Sequence, residues 1–215
     1  MAKNLIFIDC DSTLSSIEGI DELARLRGED TFRECENMTN RAMDGEIAIE
    51  DVYGARLNLI KPSAEECARI GQLYIETVEP TAKSFLEKLR ALDWEPIIVS
   101  GGLTQVIAPF AAYLGVDRVR AVDLIFDENG GYVGFDENCP TSRMGGKMEI
   151  IEADRAALEA MRVVMVGDGS SDLETQPFVD LFIGYGGFLE RPKVKAEAKA
   201  FVYRLSDIPN LLTAF

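Results

Sequence analysis

Short, continuous runs of apolar residues recur along this chain, and stretches with apolar residues at helical spacing lie between most of them. The run at 5–8 predicts a buried strand, because large apolar side chains follow one another without a polar residue. Later runs of the same kind predict strands at 96–99, 162–166, 181–183 and 201–203. Buried strands that alternate with helices are typical of an α/β fold, in which helices cover both faces of a mostly parallel sheet.

Residues 17–77 interrupt this alternation, because they contain helical periodicity and no strand pattern. Helices are predicted at 20–26, 31–43 and 47–59. A fourth helix begins after Ser63, which forms a capping-box pattern with Glu66. We therefore predict a helical cap domain at 17–77, inserted over the end of the first strand into an α/β core formed by residues 1–16 and 78–215.

The second half of the chain returns to alternating elements. Asn129-Gly130-Gly131 lies between two short apolar segments and predicts a β-hairpin that pairs 124–126 with 132–135. Helices are predicted at 82–92, 104–114, 146–158 and 194–200. Within the second of these helices, Pro109 predicts a kink or a break.

Polar residues and glycines follow three of the predicted strands: Asp9-Cys10-Asp11, Ser100-Gly101-Gly102 and Gly167-Asp168-Gly169. Ligands of parallel sheets bind beyond the carboxyl ends of the strands, so all three segments are expected to border one crevice. Asp9 and Asp11 would point in the same direction if the extended backbone continued through them.

Composition limits the chemistry of this crevice. The 215-residue chain has a net charge of −15, which argues against a nucleic acid or an anionic membrane surface as partner. It contains no histidine, so carboxylates, lysine, hydroxyls and a metal ion remain for catalysis. Its four cysteines form no CxxC pair, and no leader-like or membrane-length apolar run is present, which predicts a cytoplasmic protein.

The polar segments fit phosphoryl transfer. Asp9, Asp168 and Asp172 offer the oxygen ligands that Mg²⁺ prefers, and Ser100 with the amides after it could bind phosphate oxygens. Lys147 would add a positive charge. Asp9 could then attack phosphorus, while Asp11 serves first as general acid and later as general base. Taken singly, each segment also fits a simpler interpretation: an acidic loop, a turn with a helix cap or a surface lysine.

The order of these segments resembles the four signature motifs of the haloacid dehalogenase superfamily: Asp-x-Asp-x-Thr, Ser, Lys and Gly-Asp-Gly-x-x-Asp. The second acid, Asp11, favours the phosphatases of that superfamily over its dehalogenases. Further segments resemble the members that hydrolyse O-phospho-L-serine, and they lie at 18–24, 41–43, 56–57, 134–136, 140–141, 145–147 and 182–187.

The resemblance implies a Rossmann-like core with an inserted helical cap, and it implies a role for each matching residue. Asp9 would be the nucleophile and Asp11 the acid and base, while Ser100, Gly101 and Lys147 would bind phosphate. Mg²⁺ would be held by Asp9, the Asp11 backbone carbonyl and Asp168, with Asp172 in support. The substrate's ammonium would bind Glu18 and its carboxylate Arg56, beside Met43 and Ser171. The sequence departs from the usual residues of these enzymes at Ile49, Thr81, Leu103, Ser170 and Ser171.

The expected function is Mg²⁺-dependent hydrolysis of O-phospho-L-serine, a step of serine biosynthesis, by a monomer or a homodimer. Three alternatives stay open. The substrate could be another small phosphate ester such as phosphohomoserine, the protein could be a phosphotransferase that uses an alcohol in place of water, or it could bind a phosphate ligand without catalysis.

Overall fold

A computed structural model of the protein describes residues 3–43 and 49–213; of residues 40, 42, 43, 49 and 50 it describes the backbone only. Six parallel strands form the central sheet. In spatial order they are β3 (Arg118–Val122), β2 (Trp94–Leu103), β1 (Lys3–Ile8), β6 (Ala160–Gly167), β7 (Leu181–Tyr185) and β8 (Ala200–Val202). A separate antiparallel hairpin pairs β4 (Leu124–Phe126) with β5 (Tyr132–Phe135), as the sequence predicts.

Ten helices surround these strands in the described part of the chain. Four lie between β1 and the remaining core: α1 (Gly19–Arg25), α2 (Glu29–Met43), α3 (Ile49–Ile60) and α4 (Ala64–Glu76). The others are α5 (Ala82–Ala91), α6 (Thr104–Leu114), α7 (Gly146–Ala157), α8 (Ser170–Leu173), α9 (Pro192–Glu197) and α10 (Ile208–Thr213). Short 3-10 turns occur at Pro140–Ser142 and Leu205–Asp207. No helix among the described residues is both long enough and apolar enough to cross a membrane.

Strand β1 lies at the centre of the sheet, between β2 and β6, and its apolar residues are completely buried. Leu5 and Phe7 pack on one face of the sheet, and Ile6 and Ile8 pack on the other. Because both faces are covered, every side chain from 5 to 8 meets an apolar environment. This explains why the sequence shows a continuous apolar run in place of an alternating one.

The four helices after β1 agree with the predicted helices to within two residues, although positions 47 and 48 lie outside the described residues. The Ser63–Glu66 capping box is formed in both directions. The chain enters and leaves this helical segment side by side: Ser16 N–H donates to the Thr77 carbonyl at 3.1 Å, and Glu79 N–H donates to that of Leu14 at 2.8 Å. The division into a core and a cap domain stays a prediction.

Helix α4 packs along α6, and the close approach of the two helices depends on Gly71. A Cβ atom at that position would lie 2.9 Å from the Val106 carbonyl oxygen and 3.4 Å from Pro109. Pro109 was predicted to cause a kink or a break, and the break does not occur, since α6 runs without interruption from Thr104 to Leu114.

One strand was predicted too short, and another strand was not predicted. The second strand was expected to end at Val99, but β2 continues to Leu103. Val99 pairs with Arg120 and Leu103 pairs with Val122, so the three residues between them on β2 face only Ala121, and the sheet accommodates them as an irregularity. Strand β3 was not predicted, because two arginines interrupt its apolar pattern; both are paired with acidic residues, Arg118 with Glu95 and Arg120 with Asp154.

Candidate active site

A cavity of about 600 Å³ lies where the carboxyl ends of β1 and β6, the Ser-Gly-Gly segment of β2 and the helices α1–α3 meet. Most of the residues predicted for the site line it: Asp9, Asp11, Glu18, Arg56, Ser100, Gly101, Lys147, Asp168 and Ser171. Asp172 is completely buried and reaches the site through Lys147. The side chain of Met43, predicted to line the substrate, lies outside the described residues.

Three carboxylates converge beneath this cavity. Oxygen atoms of Asp9, Asp168 and Asp172 all lie within 4.8 Å of one another, and all three side chains are buried. The backbone supports this arrangement, since Asp9 N–H donates to the Val166 carbonyl at 2.9 Å and so joins the end of β1 to the end of β6. An oxygen-only donor set of this size fits Mg²⁺.

Lys147 neutralises part of this charge. Its Nζ atom donates to Asp9 at 2.7 Å and to Asp172 at 2.6 Å. Burial alone would lower the pKa of the ammonium group, but Asp172 and Asp9 raise it above its usual value, so Lys147 stays charged. Gly146 makes this position possible, because a Cβ atom there would lie 1.7 Å from the Pro140 carbonyl oxygen.

The pKa values of the carboxylates reflect burial and crowding. Burial raises the pKa of Asp9 well above its ordinary value, the charge of Asp172 raises it further, and Lys147 offsets part of the increase. Burial and then Asp172 raise the pKa of Asp168 to about 6, while Arg191 acts in the opposite direction. Arg191 Nε donates to Asp168 Oδ2 at 3.0 Å. A cation among these carboxylates would stabilise their ionised forms.

Asp11 lies three residues beyond the end of β1 at Ile8 and forms an isolated β-bridge with Ser15. Ser12, with a φ angle of 53°, begins the turn that follows. Asp11 Oδ1 accepts hydrogen bonds from the Tyr74 hydroxyl and from Gly19 N–H. Burial, followed by the negative charge of Glu18, raises the pKa of Asp11 to about 7. A carboxyl group with this pKa can both donate and accept a proton near neutral pH.

The Ser-Gly-Gly segment brings Ser100 next to Asp11. A Cβ atom on Gly102 would lie 3.1 Å from both Ser100 Oγ and Asp11 Oδ2. The two polar groups therefore lie close together beside a glycine, where a side chain would crowd both. Ser100 is buried, and its Oγ atom accepts a hydrogen bond from Gly102 N–H at 2.9 Å. The hydroxyl hydrogen is therefore available to another acceptor, such as a phosphoryl oxygen.

The opposite side of the cavity carries one charge of each sign. Glu18 accepts a hydrogen bond from Ser12 Oγ at 2.6 Å, and Arg56 Nη2 donates to Asp21 on α1. Arg56 Nε is buried and has no hydrogen-bond partner among residues 3–43 and 49–213. Arg56 lines the cavity, and its guanidinium group has five N–H donors, so it can hold Asp21 and still donate to a further anion.

Sequence reasoning missed Asp21, Tyr74 and Arg191, which contact predicted site residues. Tyr74 and Arg191 lie in segments whose pattern is that of an ordinary helix or loop, and all three residues reach the site only through tertiary packing. Asp21 lies in the 18–24 segment that resembles known family members, but the sequence does not show that it pairs with Arg56. For Tyr74 and Arg191 the sequence offers no local signal.

A sequence model of the haloacid dehalogenase-like hydrolases matches residues 6–175, and the chain belongs to this family. Phosphoserine phosphatase of Homo sapiens is 36% identical over 214 residues, which cover 98% of this chain and 92% of that protein. The chloroplastic phosphoserine phosphatase of Arabidopsis thaliana is 36% identical over 211 residues, which cover 96% of this chain and 71% of that protein.

Solved structures agree with the family assignment. A structure described as a phospho-aspartyl intermediate analogue of phosphoserine phosphatase superimposes with a TM-score of 0.83 at 26% identity, and the match covers 98% of this chain and 99% of that one. The predicted α/β core with a mostly parallel sheet is thereby confirmed. Because one relative is named chloroplastic, the cytoplasmic location stays a prediction.

Proposed function

We propose that this protein is a Mg²⁺-dependent phosphomonoesterase that hydrolyses O-phospho-L-serine to L-serine and phosphate. The observation that carries the proposal is that one cavity joins a buried carboxylate-lysine cluster to a pair of opposite charges, Glu18 and Arg56. The first group suits phosphoryl transfer, and the second suits a zwitterionic amino acid. The names of the relatives support the same substrate.

Asp9, Asp168 and the Asp11 backbone carbonyl would hold Mg²⁺, with Asp172 in support. The donor chemistry fits, since these are hard oxygen ligands in a buried acidic cluster. When bound, the cation would neutralise charge on the phosphoryl oxygens and on the crowded carboxylates. Side chains of the protein would supply the nucleophile, the general acid and base, and the groups that bind the substrate.

Asp9 would attack phosphorus and form an aspartyl-phosphate as the serine oxygen departs. Asp11 would donate its proton to that oxygen, and this releases L-serine. Water would then attack the phosphorus atom, and Asp11 would take the proton that the water loses, so that phosphate leaves and Asp9 is regenerated. The contacts of Asp11 with Tyr74 and Gly19 hold its carboxyl group beside the cavity during both steps.

Ser100 and Lys147 would bind the non-bridging phosphoryl oxygens. The Lys147 ammonium has three N–H groups, of which Asp9 and Asp172 use two, so one donor remains for the substrate. Glu18 would accept from the substrate ammonium, and Arg56 would donate to its carboxylate while Asp21 keeps the guanidinium in place. Residues 17–77 would act as the cap that encloses the ester.

The test is phosphate release from a panel of esters with Mg²⁺ and with a chelator, with Asp9→Asn as the blank. The panel contains L-phosphoserine, phosphohomoserine, phosphoethanolamine, which lacks the carboxylate, and an aryl phosphate. We expect metal-dependent turnover with a strong preference for L-phosphoserine. Equal turnover of phosphoethanolamine would refute the proposed substrate, and the absence of turnover with every ester would refute the proposed chemistry.

A further inference from the structure

We propose that Tyr53 is a positioning residue that links helix α3 to the phosphate-binding hydroxyl of Ser100. The inference rests on the proposed function in one respect: it takes Ser100 as a ligand of the phosphoryl group. Tyr53 lies in the helical segment above the sheet, it lines the cavity, and no predicted motif includes it.

The position of the Tyr53 side chain is fixed at both ends. Its hydroxyl donates to the Gly101 carbonyl at 2.9 Å, and its ring packs against Phe135 on β5 with a centroid distance of 5.3 Å and an interplanar angle of 54°. The Phe135 ring also contacts the Gly54 position, where an added Cβ atom would lie 3.5 Å away. Helix α3 is thus held between the hairpin and the Ser-Gly-Gly segment.

The Gly101–Gly102 peptide group transmits this contact. Tyr53 holds its carbonyl oxygen, and Ser100 Oγ accepts from its N–H at 2.9 Å. Since the C=O and N–H groups of a trans peptide point in opposite directions in one plane, fixing the carbonyl also fixes the N–H direction. The Tyr53 hydroxyl therefore helps to orient the hydrogen bond that Ser100 Oγ accepts.

This orientation determines what Ser100 can do. A hydroxyl that accepts from Gly102 N–H directs its own hydrogen toward a different partner, and here it faces the cavity that also contains Asp11 and Lys147. An anionic phosphoryl oxygen is the acceptor that this arrangement suits. Loss of the Tyr53 hydroxyl would let the peptide rotate, and Ser100 would bind phosphate less well.

Helix α3 also carries Arg56, three residues after Tyr53 and close to it on the helix surface. Arg56 pairs with Asp21 and lines the same cavity. Helix α3 therefore carries both Arg56, which is proposed to bind the substrate carboxylate, and Tyr53, which contacts the phosphate-binding segment. The two ends of the substrate would be recognised by groups that the same helix helps to place.

The experiment measures the affinity of the protein for inorganic phosphate by calorimetry in the presence of Mg²⁺. Tyr53→Phe removes the hydroxyl and keeps the ring on Phe135. We expect about fivefold weaker phosphate binding, the effect of losing one ordinary hydrogen bond. Tyr132→Phe is the matched control. Tyr132 and Tyr53 both line a second cavity, between α3 and β5, but Tyr132 has no part in the proposed contact, so the phosphate affinity of this variant should stay unchanged.

A double-mutant cycle separates a positioning role from a general structural one. In the Ser100→Ala background, Tyr53→Phe should have no further effect on phosphate affinity. The same fivefold loss in the unmodified protein and in Ser100→Ala would overturn the proposal. An unchanged phosphate affinity of Tyr53→Phe alone would also overturn it, as would a lack of phosphate binding by the unmodified protein. Because this readout needs no turnover, failure of the protein to hydrolyse L-phosphoserine would leave it intact and would count against the proposed function only.

The kinetic readout is independent. In Tyr53→Phe, kcat/KM should fall by the same factor for L-phosphoserine and for phosphoethanolamine, because both esters present the same phosphate to Ser100. A loss confined to L-phosphoserine would mean that Tyr53 acts through Arg56 and would also overturn the proposal.

Discussion

The two sides of the cavity hold their charges in different ways. The core wall, formed by Asp9, Lys147, Asp168 and Asp172, is buried, and Lys147 contacts two of its carboxylates at 2.7 and 2.6 Å. The cap wall, formed by Glu18, Asp21 and Arg56, is more accessible: the side chain of Asp21 is 35% exposed and that of Arg56 is 16% exposed.

This difference in burial suits the two walls to different tasks, reaction at the phosphate and recognition of the rest of the substrate. Charges in the core wall interact in a medium of low polarity, so each depends strongly on its neighbours. Charges in the cap wall are partly screened by water and can exchange one partner for another. The core wall therefore suits a fixed reaction centre, and the cap wall suits a surface that reads the rest of the substrate.

The largest expected effect is on the nucleophile. Asp9→Asn should lower kcat by about a thousandfold or more, because the amide cannot form the covalent intermediate. Lys147 would keep Asp172 as a partner, so the fold should survive, and the thermal unfolding midpoint should stay within a few degrees of the unmodified protein. Substantial turnover by this variant would show that the core wall does not supply the nucleophile.

Removal of the buried positive charge of Lys147 should lower the stability of the protein as well as its activity. Lys147→Met leaves Asp9 and Asp172 buried without their ammonium partner, and breaking a buried pair in this way costs about 3–5 kcal/mol. For a chain of this size we expect the unfolding midpoint to fall by about 6–20 °C. Mg²⁺ should restore part of this loss, because it supplies positive charge to the same carboxylates. Lys83→Met is the control: this exposed lysine does not line the cavity and loses only a surface contact with the Tyr113 ring, so stability should change little.

Changes in the cap wall should alter substrate preference and leave the chemistry intact. Arg56→Ala should lower kcat/KM for L-phosphoserine by about 10- to 100-fold, the value of a charge-assisted hydrogen bond, through a higher KM. The same variant should hydrolyse phosphoethanolamine as well as the unmodified protein does. An equal loss with both esters would remove the distinction between the two walls.

The smallest expected effect lies on the outer surface of the helical segment. Arg27 donates to Glu66 at 2.6 Å and to the Ile60 carbonyl at 2.7 Å, so it joins the end of α3 to the start of α4. Hydrogen bonds from Arg27 lower the pKa of Glu66 from 4.5 to about 2. The folded pKa lies below the unfolded value, so this pair stabilises the protein above about pH 4.5 and the benefit is lost as the pH falls toward 2.

The corresponding measurement compares the unmodified protein with Glu66→Gln in urea unfolding between pH 3 and pH 7. Because both side chains are about a quarter exposed or more, we expect the variant to be less stable by less than about 1 kcal/mol at pH 7. The difference should shrink at pH 3. A difference that grows on acidification would contradict the assigned sign.

The core wall was largely predictable from sequence, and the contacts of the cap wall were not. The buried run at 5–8 and the polar residues after it locate Asp9, because a parallel sheet brings the ends of its strands together. Asp168 follows from the same reasoning. Lys147 was a candidate only in combination with these segments, and the resemblance to a known family supported its role, since a single lysine after two glycines has no distinctive local pattern.

The ion pair of Arg56 with Asp21 and the contact of Tyr53 with Gly101 depend on how helices pack, and helical periodicity does not encode that packing. The irregular end of β2 was missed for a related reason. Ser100-Gly101-Gly102 has the composition of a turn, and the pairing of the flanking residues Val99 and Leu103 with β3 keeps the strand continuous.

The central claim is that the core wall carries out the chemistry through Asp9. The most direct test is to quench the protein in acid during turnover of L-phosphoserine with Mg²⁺ and to measure the mass of the peptide that contains Asp9. We expect this peptide to gain the mass of one phosphoryl group in the unmodified protein and in Arg56→Ala, and to remain unmodified in Asp9→Asn. Phosphate found on another residue, or turnover without any phosphorylated peptide in repeated rapid quenching, would contradict the account.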